Sequence, residues 1–126
     1  MNPDGEEIMR IFRSTFLLTL TLLFTLMLAS AEDKFGVKVY DGAKFDADTT
    51  AFVAHMGGQA ACYRSADDLS KVIAFYSKLP GVAVIHTSAK GAMFKLNGVT
   101  ITLQSPWMNM KTGVRNTDTL ISIVKS

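Results

Sequence analysis

The clearest pattern of apolar and polar positions in this chain is helical and lies just past its midpoint. Apolar side chains recur at intervals of three and four residues, at Leu69, Val72, Ile73, Tyr76 and Leu79. Side chains at these intervals share one face of an α-helix. Ser65 precedes the run as a candidate cap, and Pro80 with Gly81 ends it. The pattern predicts a helix over Asp67–Leu79 that buries one face.

Two runs of alternating apolar and polar residues follow, joined by an Asn-Gly pair. Asn97 and Gly98 suit a two-residue hairpin turn, because both central positions of that turn need positive φ angles. The turn sets the register, since a shift by one residue would move every side chain to the other face. The predicted apolar pairs on one face are Leu96 with Val99, Phe94 with Ile101, and Ala92 with Leu103. This hairpin has an apolar face that the predicted helix can cover.

Three further strands and a second helix complete the predicted elements. The strands are Gln59–Tyr63, Val82–Thr87 and Thr119–Val124. Residues 48–56 have apolar positions at helical spacing, with Asp46 or Asp48 as the cap, although their adjacent threonines also suit a strand. The prediction is an α+β domain. It has an antiparallel sheet of four or five strands, with one main helix packed on the apolar face and a shorter second helix.

The first 31 residues carry the pattern of an export signal. Arg10 and Arg13 precede the uncharged apolar run Phe16–Leu28, and Ala29-Ser30-Ala31 forms a small-residue cleavage site. The residues before Met9 are acidic, which favours Met9 as the true start. A retained anchor is the alternative, but a spanning helix needs about 20 apolar residues. We therefore expect a signal peptide over 1–31, a single domain over 32–126, and a periplasmic or secreted protein with no membrane span after cleavage.

Charge and cysteine content narrow the classes of function further. The chain has 13 Lys and Arg residues and 11 Asp and Glu residues, of which two and three fall in residues 1–31, so the domain has a net charge of +3. Its basic residues are scattered, whereas a nucleic-acid-binding surface clusters them. The single cysteine, Cys62, excludes an intramolecular disulfide. Its apolar neighbours predict a buried core thiol, with a reactive thiol or an intermolecular disulfide as the alternative.

Three short motifs in the first half of the domain resemble one group of known proteins. They are Tyr40-Asp41-Gly42-Ala43, Tyr63-Arg64-Ser65 and a helix ending in Val72–Tyr76. Together they resemble small exported bacterial domains of unknown function. The resemblance implies an exported α+β domain and supplies no catalytic residues.

Candidate catalytic groups are few. The chain has no G-x-S-x-G nucleophile motif, and its aspartates stand at predicted helix starts and turns, where capping explains them. A small hydrolase would need His55 or His86 in a cleft beside an acid or Cys62. Single histidines in such elements are more often ordinary surface or core residues. We therefore expect a non-enzymatic protein without a cofactor.

The loop Gln104–Asp118 has the most unusual local composition. Trp107, Met108 and Met110 lie there among turn-forming residues. One interpretation makes Trp107 a lid packed over the edge of the sheet. Another makes all three residues a binding surface for an unknown envelope protein or a small ligand, because exposed Trp and Met side chains often anchor partners.

A third interpretation of the same loop is a copper(I) site. Thioether sulfurs are soft ligands, so Met108 and Met110 could share a copper(I) ion. His86, Met93 or the His55-Met56 pair would complete the ligand set. The sequence thus predicts a non-enzymatic binding or interaction module of the cell envelope, with copper(I) binding or, less favoured, a small hydrolase as the alternatives.

Overall fold

Six antiparallel strands form one sheet at the centre of residues 32–126, the part of the chain that the computed structural model describes. The predicted signal peptide, with its Met9 start and its cleavage site, lies outside the described residues. Within residues 32–126, no helix is both long enough and apolar enough to cross a membrane.

Ten strands and two helices make up the described chain. In chain order they are β1 (Asp33–Lys34), β2 (Val37–Lys38), β3 (Lys44–Phe45), α1 (Ala47–His55), β4 (Gln59–Ser65), α2 (Leu69–Ser77), β5 (Ala83–Thr87), β6 (Gly91–Leu96), β7 (Val99–Gln104), β8 (Trp107–Met108), β9 (Arg115–Asn116) and β10 (Thr119–Lys125). The central sheet has the order β3-β4-β10-β7-β6-β5, and β1-β2 and β8-β9 are two-stranded ribbons.

The predicted α+β class is confirmed, but two of its details are wrong. The sheet has six strands rather than four or five, because Lys44 and Phe45 pair with Arg64 and Tyr63 as an additional edge strand. The second helix is not shorter than the main one, since α1 and α2 each have nine residues.

The register predicted for the hairpin is confirmed at all three apolar pairs. Leu96 lies opposite Val99, Phe94 opposite Ile101, and Ala92 opposite Leu103. Asn97 and Gly98 both have positive φ angles, of 50° and 77°, as the two-residue turn requires. The hairpin therefore places Phe94 and Ile101, both fully buried, on the same face of the sheet.

The main hydrophobic core fills that face, which we call the core face. Helix α2 covers it with Val72 and Tyr76, both fully buried, while Ile73 and Leu79 are partly buried at its margin. The Tyr76 hydroxyl donates to the carbonyl of Lys38 at 3.0 Å and accepts from the backbone N–H of Tyr40 at 3.1 Å. Tyr76 thereby fastens the segment after β2 to the core.

Helix α2 begins two residues later than predicted. Its N-cap is Asp68, whose side chain makes no capping bond, and its last helical residue is Ser77. The expected cap Ser65 instead accepts a hydrogen bond from the backbone N–H of Asp67 at 3.1 Å. This turn separates β4 from α2 and leaves the Asp67 carboxylate to accept from the Tyr40 hydroxyl.

Residues 47–55 form a helix, so the preferred alternative for this segment is confirmed. The Asp46 side chain caps α1 by accepting from the N–H of Thr49 at 3.0 Å. The helix lies against β4 at the edge of the sheet. Its Thr50 hydroxyl accepts from the backbone N–H of Cys62 at 2.8 Å. Thr50 therefore lies in a helix, although threonine is typical of strands, and its hydroxyl provides a hydrogen-bond acceptor for a backbone N–H of β4.

Candidate binding groove

The second face of the sheet carries a smaller apolar cluster built around Trp107. We call this face the groove face. Trp107 is only 4% exposed and packs with Cys62 and Leu120, with Val53 of α1 beside them. Its indole N–H donates to Asp118 Oδ1 at 2.9 Å. The side chain is therefore a lid over the sheet, and the indole is held at its polar end.

Arg64 holds the same carboxylate from the other side. Its Nε donates to Asp118 Oδ2 at 2.7 Å, and its guanidinium carbon lies 5.1 Å from the centre of the Trp107 ring. Asp46 Oδ2 is 3.8 Å from another guanidinium nitrogen. The hydrogen bond that Arg64 donates to Asp118 raises the pKa of Arg64, so the cation is permanent. The base of the 105–118 loop is thus fixed by a charged network.

Cys62 is the core thiol that the sequence predicts. It is free and fully buried, and its Sγ lies 3.6 Å from the Ser122 hydroxyl oxygen. Burial raises the pKa of the Cys62 thiol above its ordinary value, so the neutral form is favoured. A protonated, buried thiol is a poor nucleophile.

Residues 107–116 form a small ribbon that projects two methionines. Met108 pairs with Arg115, and the turn beyond is closed by Asn109, whose side-chain oxygen accepts from the N–H groups of Lys111 and Thr112 at 2.9 and 3.2 Å. Lys111 Nζ lies 3.4 Å from Asp48 Oδ1 on α1. The tip of the ribbon is therefore tied to the helix across the groove face.

A groove of about 730 Å³ lies between this ribbon and α1. We call it the methionine groove. The walls are apolar side chains from the helix and the loop, namely Phe52, Val53, Met56, Pro106, Trp107, Met108 and Met110. The floor comes from the strands and consists of Thr102, Gln104, Leu120, Ser122 and Val124, with Thr49 and Lys90 at the rim. The walls are preformed because hydrogen bonds and ion pairs hold both sides.

The upper walls of the methionine groove leave large apolar side chains in contact with solvent. Phe52, Met56, Met108 and Met110 are 40%, 70%, 55% and 64% exposed. Clustered exposed apolar side chains typically mark an interaction site. Methionine is common at such sites because its flexible, polarisable side chain adapts to different partners.

The structure brings the three predicted site residues to one groove but gives them different positions. Met108 and Met110 stand exposed on the wall, whereas Trp107 contributes a buried ring. The sequence connected Met56 with the loop only as one possible ligand of a copper(I) site, and it did not connect Phe52 with the loop at all. No local sequence signal identifies this role, because only the structure shows that α1 contains no buried residue and leaves Phe52 exposed.

The two histidines lie elsewhere. His55 is an exposed residue in the last turn of α1 and does not line the methionine groove. His86 lies opposite Met93 and lines a shallow depression of about 370 Å³ in which no acid and no cysteine takes part. The weak ligand set of Met108, Met110 and His86 is therefore divided between two cavities. Among residues 32–126, no three side chains of His, Cys, Asp or Glu are grouped as a metal site.

Comparison of the chain with protein-family models, with curated proteins and with solved structures finds no match.

Proposed function

We propose that this protein is a non-enzymatic binding module of the cell envelope, and that its binding site is the methionine groove. The observation that carries the proposal is a preformed groove whose walls expose Phe52, Met56, Met108 and Met110. Four large side chains in one cavity exceed the scattered surface apolar residues of an ordinary domain. The occupant is an apolar segment of a partner protein.

The envelope location rests on the N-terminal pattern alone. Arg10 and Arg13, the apolar run and the Ala29-Ser30-Ala31 site together favour export and cleavage. N-terminal sequencing of the protein recovered from cell fractions tests this. We expect a mature chain that starts at Glu32 in the periplasm or the medium. An intact chain held in the membrane would contradict it.

Site-specific photo-crosslinking tests the groove itself. A benzoylphenylalanine placed at Met56 or Met110 should give an adduct of defined mass in the envelope of the native host. The same residue at Lys71, exposed on α2 across the sheet, is the matched control and should give none. Equal adducts from Lys71, or none from either groove position, would contradict the proposal.

Copper(I) is a second candidate, favoured by one observation. Met56, Met108 and Met110 line the same groove, so the groove brings three thioethers together. Native mass spectrometry after exposure to copper(I) under reducing conditions tests this. Alanine at all three positions should abolish a bound ion. The change Met93→Ala, outside the groove, is the control and should leave binding intact.

We do not propose the hydrolase alternative. It requires His55 or His86 in a cleft with an acid or with Cys62. His86 lines its depression with Ser88, Lys90 and Met93 among others. Cys62 is buried in β4, and three strands separate β4 from β5, the strand of His86.

A further inference from the structure

The groove face is covered over one half of its strands and open over the other half. Helix α1 and the 105–118 loop lie over β4 and β10. The cross-strand register continues the floor of the groove outward in rows, so that Ser122 lies beside Thr102, Thr102 beside Met93, and Met93 beside His86. The methionine groove and the depression at His86 share three lining residues, Lys90, Thr102 and Gln104. The two cavities therefore form one continuous surface.

Among the described residues, no aspartate or glutamate lines either of the two cavities, and the charged side chain that lines both is a lysine. Lys90 lies at the junction of the two cavities, and Lys95 lies opposite Thr100 in the row that begins with Val124. Both lysines are exposed, and neither forms an ion pair within the described part of the chain. The strand residues of β6, β7 and β10 that share this face include no aspartate or glutamate.

We infer that the partner segment bound by this surface is amphipathic and acidic. Its apolar side chains enter the methionine groove, and its carboxylates meet Lys90 in the turn before β6 and Lys95 on β6. This inference rests on the proposed function and names the chemistry of the partner. Charge complementarity of this kind orients a segment whose apolar side chains alone would not set its direction.

A second copy of this chain fits the surface poorly. The domain carries a net charge of +3, and a symmetric dimer would bring the same lysines of both copies to one interface. An anionic bilayer also offers negative charge, but the apolar walls here enclose a concave groove, which suits an inserted peptide segment.

Selection from a display library of random peptides tests the inference. The protein used in the selection is expressed from the full-length sequence. Enriched peptides should combine large apolar residues with Asp or Glu. For one such synthetic peptide, Lys90→Glu with Lys95→Glu should weaken binding at least about threefold. Lys71→Glu on α2 with Lys78→Glu at its C-cap is the control with equal charge change and should leave binding unaltered.

A second pair of variants separates this inference from the proposed function. Met108→Ala with Met110→Ala should weaken binding about tenfold, because these side chains form the apolar wall. Raising the salt from about 50 to about 500 mM should weaken wild-type binding, whereas the Lys90→Glu and Lys95→Glu variant should lose that dependence.

Each outcome decides between the possibilities. If the enriched peptides are neutral and their binding depends on the methionines but not on the lysines, the acidic partner is overturned and the groove proposal stands. If binding depends on neither set of residues, or no peptide is enriched, both the acidic partner and the groove proposal are overturned. A last outcome is that the protein sediments with phosphatidylcholine vesicles only when they contain phosphatidylglycerol, and that the lysine variant does not sediment with them. This outcome would overturn the peptide partner in favour of a membrane surface.

Discussion

The guanidinium of Arg64 lies 5.1 Å from the centre of the Trp107 ring, and both side chains hydrogen-bond the same carboxylate, that of Asp118. Asp118 stands immediately before β10, and Arg64 lies near the end of β4. The pair therefore joins the loop to two central strands. This relationship explains how a loop rich in turn formers can present Met108 and Met110 from a fixed base.

Loss of the Trp107 ring should destabilise the domain strongly. Trp107→Ala removes a side chain that is 4% exposed and leaves Asp118 without one donor. We expect the free energy of unfolding to fall by about 3–5 kcal/mol in urea denaturation. Met108→Ala, at the next and exposed position, should change it by less than about 0.5 kcal/mol. Similar effects from the two variants would show that Trp107 is not a lid.

The hairpin turn gives a second prediction. Gly98 has a φ of 77° and no heavy atom within 4 Å of the place of a β-carbon, so a substitution there meets backbone strain and no clash. Gly98→Val should cost about 1–3 kcal/mol in thermal or urea unfolding. Asn97→Gly at the neighbouring positive φ is the control and should be tolerated. Unchanged stability in Gly98→Val would contradict the turn.

All three tyrosines should lose their phenolic protons at a higher pH than a free tyrosine does. The hydrogen bond to Asp67 raises the pKa of Tyr40 to about 12, and burial with a hydrogen bond to Glu32 raises the pKa of Tyr63 to about 12. Burial raises the pKa of Tyr76 as well. The unfolded chain releases these protons from about pH 10, earlier than the folded one. Stability is therefore fully present below pH 10 and falls as the pH rises towards 12.

Tyrosinate absorbance measured against pH checks this prediction. The native protein should show little tyrosinate absorbance at pH 10, whereas the urea-unfolded chain should be about half ionised there. Tyr40→Phe should remove one of the late steps and leave the other two. A native protein that titrates with a midpoint near 10 while its circular dichroism is unchanged would contradict it.

Local patterns predicted the parts of the fold that they determine by themselves. Asn97-Gly98 and the alternation around it fix a register within one hairpin, so that register came directly from the sequence. Lys44–Phe45 was missed because a two-residue strand has no periodicity to detect. The groove was missed because Phe52 and Met56 meet Met108 and Met110 only after α1 docks on the face opposite α2. No local pattern encodes which face a helix with no buried residue will take.

The docking of α1 gives a further prediction. The Thr50 hydroxyl accepts from the N–H of Cys62, a fully buried residue. Thr50→Val keeps the shape and removes the acceptor, which should cost about 1–3 kcal/mol of unfolding free energy. Thr49→Val is the same change at the adjacent position, on the rim of the groove, and should cost much less. Equal costs would show that the hydroxyl does not fasten the helix to β4.

The exposed methionines should affect binding and leave stability nearly unchanged. Met56, Met108 and Met110 are all more than half exposed, so alanine at the three positions should leave the urea midpoint close to that of the wild type. The native groove should enhance the fluorescence of an anionic naphthalene dye, because such dyes bind exposed apolar surface. The triple variant should lose most of that enhancement, while Met93→Ala should keep it. If the dye signal survives the triple change and disappears with Met93→Ala, the exposed apolar site lies on the outer strands and not between α1 and the loop.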